Sequence, residues 1–139
     1  MPPVFPDAMP ALRTWLRIHP DLTGMHGGRV FFRVPDAPVF PLVRIYRSGG
    51  AVQPGDAPIL DVRVAVEVWG GTLGDYPAVS ALATAIESAC HRMPAGLLLD
   101  PAGNTVALNA QVSTWADVPD PDTGWPRRVG DLVLTCRIA

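Results

Sequence analysis

The sequence predicts an α+β fold in which a single, mainly antiparallel twisted sheet carries two helices on one face. Two segments place apolar residues at helical spacing, whereas the other apolar segments are short, and two of them alternate with polar residues. Sixteen prolines and thirteen glycines keep the connections tight, which favours antiparallel pairing of the strands. The 139 residues contain no internal repeat or linker, so we expect one domain over residues 1–139.

The first helix is predicted over about residues 8–18. Asp7 can cap its start, Pro10 is tolerated in its first turn, and Pro20 ends it. Its apolar spacing is carried by Leu12, Trp15, Leu16 and His19.

Strands are predicted over residues 29–33, 42–47 and 60–68, the first of them after a loop at residues 25–28. Ser-Gly-Gly at residues 48–50 is expected to end the second strand. The third strand has the clearest signal, because polar residues dominate its odd positions while every even position is apolar. Those even positions are Leu60, Val62, Val64, Val66 and Val68.

The second helix is predicted over about residues 76–92, with Asp75 as a candidate cap and Pro77 in the first turn. One apolar stripe comprises Val79, Leu82, Ala83, Ile86 and Cys90.

The last part of the chain is predicted to form two strands, over about residues 105–116 and 128–138. A short apolar run at residues 97–99 and a turn at residues 100–104 precede them. Between the two strands, residues 117–126 (DVPDPDTGWP) are too rich in turn-forming residues to be anything but a loop.

Composition excludes several classes of function. The net charge of −2 offers no broad basic field for sequence-specific DNA binding. No apolar run approaches the roughly 20 residues that cross a bilayer, and the first residues lack the pattern of a secretory signal. Cys90 and Cys136 both lie at positions that the local pattern would bury, so we expect reduced core thiols. All eleven basic residues are arginine, which indicates a GC-rich genome.

No catalytic, cofactor or metal site is predicted. His19, His26 and His91 do not share the spacing of a metal site, and Cys90 points about 100° away from its neighbour His91 on a helix. The glycine-rich segment at residues 70–74 matches neither the G-x-G-x-x-G motif nor a P-loop with its lysine and serine or threonine, so it does not predict a phosphate-binding loop. Three loop aspartates, at residues 117, 120 and 122, could offer oxygens to calcium, but the glycine and the closing glutamate of an EF-hand are missing.

Candidate protein-interface residues lie around the long loop and on the polar face of the central strand. Tryptophan and arginine are enriched at interface hot spots, and two of each flank the acidic loop. The loop candidates are Trp115, Asp120, Asp122, Trp125, Arg127 and Arg128. Those on the central strand are Arg63, Glu67 and Trp69. The alternative is that Trp115 packs on the core and that the two arginines are simply solvated.

The order of these segments resembles the tail terminator, or tail completion, proteins of siphophages, particularly the small minor tail proteins of GC-rich actinobacterial phages and prophages. The similar segments are residues 11–17 (ALRTWLR), 28–31 (GRVF), 43–45 (VRI), 61–70 (DVRVAVEVWG) with the alanine-rich helix after it, and 118–135 at the end of the chain. The resemblance covers nearly the full chain.

The resemblance implies a structural virion protein without cofactor or catalytic residue. It implies a subunit that forms a ring, a hexamer in the family, on the last ring of tail-tube protein, ends tube polymerisation and faces the neck protein of the DNA-filled head. DNA would pass through without sequence-specific binding, at the tail-neck junction of a virion assembled in the host cytoplasm. Two other readings stay open: a head-completion or neck connector protein, and a small ligand-binding or hydrolytic α/β domain, which would need a deep pocket.

Overall fold

A computed structural model describes residues 7–52, 59–94 and 105–138. The predicted apolar run at residues 97–99 and turn at 100–104 lie outside these ranges. The elements, in chain order, are α1 (Met9–Ile18), α2 (Pro20–His26), β1 (Val30–Phe31), β2 (Leu42–Val52), β3 (Ile59–Trp69), a 3₁₀ turn (Leu73–Asp75), α3 (Tyr76–His91), β4 (Thr105–Asp117) and β5 (Arg127–Ile138).

In the described parts of the chain, five strands form one sheet in the order β1-β2-β3-β5-β4. The β1–β2 pair is parallel, and the other three neighbouring pairs of these strands are antiparallel. The predicted α+β fold with a mainly antiparallel sheet is confirmed. β3 is the central strand, as its strict alternation indicates.

The core lies between one face of the sheet and the helices. The apolar even positions of β3 are 5% exposed or less and pack with the apolar sides of α1, α2 and α3. Burying one Leu or Val side chain contributes about 1.5–3 kcal/mol, so this layer dominates stability. Its largest fully buried members include Leu12, Leu16, Leu22, Ile45, Leu82, Ile86, Leu132 and Leu134. The opposite face of the sheet has no helical layer within the described residues.

The predicted count of two helices is too low, because a third helix, α2, follows α1 directly. Pro20 does end α1, but it also occupies the first turn of α2, where its missing amide costs nothing. The His19 ring nitrogen Nδ1 accepts the Asp21 amide at 3.2 Å and caps this start. α2 closes on Gly27 in the left-handed conformation at φ 60°. The loop predicted at residues 25–28 therefore begins two residues later.

Two strands also differ from the prediction by more than one residue at an end. The first strand shrinks to Val30–Phe31, while β2 continues through Ser48 to Val52. A bulge between Arg47 and Gly49 absorbs the break that Ser-Gly-Gly was expected to cause.

Asp75 lies at the start of α3, as predicted, but its side chain caps the turn before the helix. Its carboxylate accepts hydrogen bonds from the Gly71 and Thr72 amides at 2.7 and 3.0 Å.

Both thiols lie in the core, unpaired. Burial raises the pKa of Cys90 to about 12 and that of Cys136 to about 11. The expectation of reduced core thiols is confirmed, and both are protonated and unreactive at neutral pH. Among the described residues, no helix has the length and apolar character of a membrane span.

His26 is a fully buried side chain that joins α1 to α2. Its Nε2 donates to the Leu16 carbonyl at 2.9 Å, and its Nδ1 accepts the Gly28 amide at 2.9 Å. Both bonds are satisfied by the neutral imidazole with its proton on Nε2. Burial lowers the pKa of His26 from its ordinary value near 6.5, and nearby Arg29 lowers it further.

We expect this histidine to weaken the fold as the pH falls. Above the ordinary pKa the ring is neutral in both states, whereas below it the unfolded chain takes up a proton that the folded ring resists, so stability is lost. The free energy of unfolding in urea should therefore drop between pH 7.5 and pH 5.5 by an amount that His26→Gln reduces. His91→Gln, an exposed control, should leave the drop unchanged. Equal pH dependence in all three proteins would contradict this assignment.

Candidate functional site: the loop end of the sheet

Three connections meet at one end of the sheet, which we call the loop end. They are residues 32–41 before β2, residues 70–75 after β3 and residues 118–126 between β4 and β5. The register places Leu42, Trp69 and Arg127 side by side at this end. The Gly70 amide donates to the Pro126 carbonyl at 2.8 Å, which ties two of the connections together.

A buried ionic cluster lies at the loop end, on the uncovered face of the sheet. Glu67 is 3% exposed and accepts from Arg44 on β2 at 2.9 Å and from Arg127 on β5 at 3.3 Å. The Trp69 indole also donates to Glu67, at 3.3 Å. The alternation of residues in β3 predicts that Glu67 lies on the polar face of the strand. It does lie there, but the arginines and the aromatic rings around it exclude water from its carboxylate.

Aromatic rings cover this cluster. The Trp125 ring lies edge-on to Phe40 with ring centres 5.0 Å apart, and to Trp69 at 6.5 Å. The Arg127 guanidinium lies over the Trp69 ring at 5.2 Å, and that of Arg44 over Tyr46 at 4.4 Å. Cationic groups over ring faces add to packing in a dry environment. The long loop is thus anchored on the sheet by Trp125.

Arg128 points to the helix side of the sheet and joins α3 to the end of β4. It donates to Asp117 at 2.9 Å, to Ser80 at 3.0 Å and to the Tyr76 hydroxyl at 2.9 Å. The hydrogen bond from Arg128, together with one from the Tyr76 hydroxyl, holds the pKa of Asp117 below its usual range. Arg128 is therefore engaged within the subunit and is not simply solvated.

Asp120 shapes the long loop. Its carboxylate accepts the amide of Thr123 at 2.9 Å and the hydroxyl of the same residue at 2.6 Å, and these bonds lower the pKa of Asp120. Asp122 is exposed at the loop tip. No group of three metal-binding side chains occurs among the described residues, these aspartates included.

The other predicted interface residues are divided between the two faces. Trp115 packs on the core side against Gly130, as the alternative reading held. Arg63 lies on the uncovered face and pairs with Asp131 at 3.2 Å, with both side chains substantially exposed. The structure thus brings Trp69, Glu67, Arg127 and Trp125 together, whereas Trp115 and Arg128 belong to the helix side.

Sequence reasoning missed Arg44, Phe40, Tyr46 and Tyr76. The sequence does show a charged residue, Arg44, between two apolar residues of a strand, and its charge is opposite to that of Glu67. Pairing the two residues, however, requires the register between β2 and β3, which the sequence does not give.

Four large apolar side chains are exposed around the loop end: Val39, Leu73, Tyr76 and Val118. An exposed apolar rim on a rigid support is typical of protein-binding surfaces.

The uncovered face beside the cluster forms an open groove of about 490 Å³. Its floor includes Ala65 and Val129, and Tyr46, Glu67 and Asp131 line its walls. It is a shallow, open surface without converging catalytic groups, unlike the enclosed pockets that hold small ligands.

Comparison with known proteins identifies the family. The sequence model of "Tail completion protein gp17" matches residues 10–137, nearly the whole chain. The chain belongs to this tail completion family. Family membership makes it a structural protein of the virion tail that acts in phage assembly, and points away from an enzyme. The predicted resemblance is confirmed at this level.

Solved structures share the tail completion fold. A chain of the structure titled "Virion of native gene transfer agent (GTA) particle" superposes with a TM-score of 0.67 at 18% identity, covering 94% of this chain and 96% of that one. At that identity the likeness establishes the fold. No curated protein matches the sequence.

Proposed function

We propose that this tail completion protein is a tail terminator, a subunit of a ring that caps the tail tube, ends tube polymerisation and forms the tail side of the head-tail joint. The observation that carries the proposal is the family match over residues 10–137. The ring, a hexamer by the family resemblance, would bind the major tail tube protein on one side and a neck protein on the other. DNA would pass through it without sequence-specific contacts.

The loop end is the surface we assign to contact with another tail component. Trp69, Glu67, Arg127 and Trp125 form a fixed base there, and Leu73, 84% exposed, projects beyond it. An apolar side chain displayed on a rigid base binds with little loss of conformational entropy. The ring contacts themselves would repeat head to tail until rotation closes them.

The test is polymerisation of the purified major tail tube protein with and without this protein. We expect tubes of limited length with a ring visible at one end by electron microscopy, and longer, uncapped tubes in its absence. Leu73→Asp should reduce capping, while Thr23→Asp, an exposed change on α2 away from the loop end and from both lateral edges of the sheet, should not. A ring that binds neck or head-completion protein but leaves tube growth unaffected would support a connector and contradict the terminator.

A further inference from the structure

We propose that subunits join edge to edge: β4 of one copy pairs with the free outer edge of β2 in the next copy, and a Glu87–Arg47 ion pair flanks the contact. The inference rests on the proposed function in that it supplies the ring contact, and it concerns a surface separate from the loop end.

Both lateral edges of the sheet lack a strand partner over a matched stretch of the described residues. β1 covers β2 only at Val43 and Arg44, which leaves residues 45–52 of β2 open on that side. β4 is the last strand on the other side. A free edge presents unpaired amide and carbonyl groups that can accept another strand.

β4 lacks the two side-chain features that most often protect an edge strand from pairing. Natural edge strands are blunted with charged side chains or proline. Residues 105–116 contain neither, in a chain with 17% charged residues and sixteen prolines. Its two bulges leave residues 109–113 in regular register with β5, which is enough for a short ladder. This edge has the composition of a strand that becomes paired.

The two free edges lie at the same height on opposite sides of the sheet. Tyr46, Ala65, Asp131 and Ser113 form one cross-strand row from β2 to β4. Strand directions alternate along β2, β3, β5 and β4, so β4 runs opposite to β2. Rotation of one copy about an axis near the strand direction would therefore bring its β4 beside β2 of the next copy, and the two strands would pair antiparallel. A closed ring of head-to-tail contacts is built by such a rotation.

Opposite charges flank the two edges on the helix side. Arg47 is exposed beside Met9 and Phe32 at the β2 edge, and the register places it in the same row as Val112 of β4. Glu87 is exposed on α3 and lines a depression with Val112. Neither Arg47 nor Glu87 has an ion-pair partner in the part of the chain that the structure describes. Adjacent strands lie about 4.8 Å apart, so long side chains can span the junction.

Cysteine cross-linking tests the contact. The variant Ser48→Cys/Ser113→Cys is treated with a short bis-maleimide, both alone and with tail tube protein. We expect a ladder of covalent oligomers on a denaturing gel, and the largest of them should contain every subunit of the ring. The native Cys90 and Cys136 are buried and should stay silent. The single variants are the matched controls and should remain monomers on denaturing gels. A dimer from Ser113→Cys alone would show two β4 edges meeting and overturn the head-to-tail contact.

Charge exchange gives an independent readout. Arg47→Glu and Glu87→Arg should each raise the protein concentration needed for half assembly, measured by light scattering, and the double exchange should restore it. Rings that form normally without a cross-linked ladder would overturn edge pairing and leave the terminator function standing. A ladder on tubes that grow unchecked would support edge pairing and contradict the terminator, whereas a protein that forms no ring in either setting would overturn both.

Discussion

Replacing Glu67 with glutamine is expected to lower the free energy of unfolding by about 3 kcal/mol. The substitution keeps the shape of the side chain but leaves Arg44 and Arg127 facing one another without an anion between them. Removing one partner of a buried ion pair is costly because the remaining charge stays out of water. Arg127 is the more enclosed of the two, with 17% of its side chain exposed against 32% for Arg44.

Asp131→Asn is the matched control for this prediction. Asp131 lies on the same face and also pairs with an arginine, but both partners are exposed, at 39% and 58% of their side chains. Exposed pairs contribute under about 1 kcal/mol. Urea unfolding at pH 7 measures both variants. A loss for Glu67→Gln no greater than for Asp131→Asn would show that the cluster at the loop end is hydrated and would remove the rigid base assigned to it.

The parts of the fold that could be predicted are those set by local periodicity. Alternation in β3 fixed the central strand and its buried face, and the stripe from Val79 to Cys90 fixed α3. α2 was missed because Pro20 is a stop signal and a start signal at once, and a helix of seven residues has too few apolar positions to show a stripe. The β2 extension was missed because a bulge lets a strand pass through glycines.

The candidate site depended on long-range register, which local patterns do not contain. Glu67 was placed on a polar face correctly, yet its burial depends on Arg44 and Arg127, which come from neighbouring strands. The two alternatives for Trp115, an interface residue or a residue packed on the core, stay open in the sequence for a related reason. Strict alternation from the buried Val112 would turn residue 115 to the uncovered face, whereas the bulge between Ser113 and Ala116 turns it to the core.

Gly130→Ala is expected to destabilise the fold by about 2 kcal/mol, because this bulge lays the Trp115 ring directly on the Gly130 backbone. A methyl group at residue 130 would lie 2.7 Å from two ring carbons of Trp115, closer than carbon atoms can pack. The ring cannot retreat without exposing the core beneath it, and its Nε1 is buried and has no hydrogen-bond partner within the described residues. Any shift also disturbs the end of β4, where Asp117 holds Arg128.

A double-mutant cycle isolates this contact from general effects of alanine in a strand. Trp115→Ala removes the ring, so adding Gly130→Ala to it should cost almost nothing, and the coupling between the two sites should approach the full loss of the single variant. Gly49→Ala is the control, since a methyl group there meets Arg63 only at 3.9 Å, an ordinary contact. Additive losses in the cycle would mean that Trp115 does not rest on Gly130, and the reversal of alternation by the bulge would then be wrong.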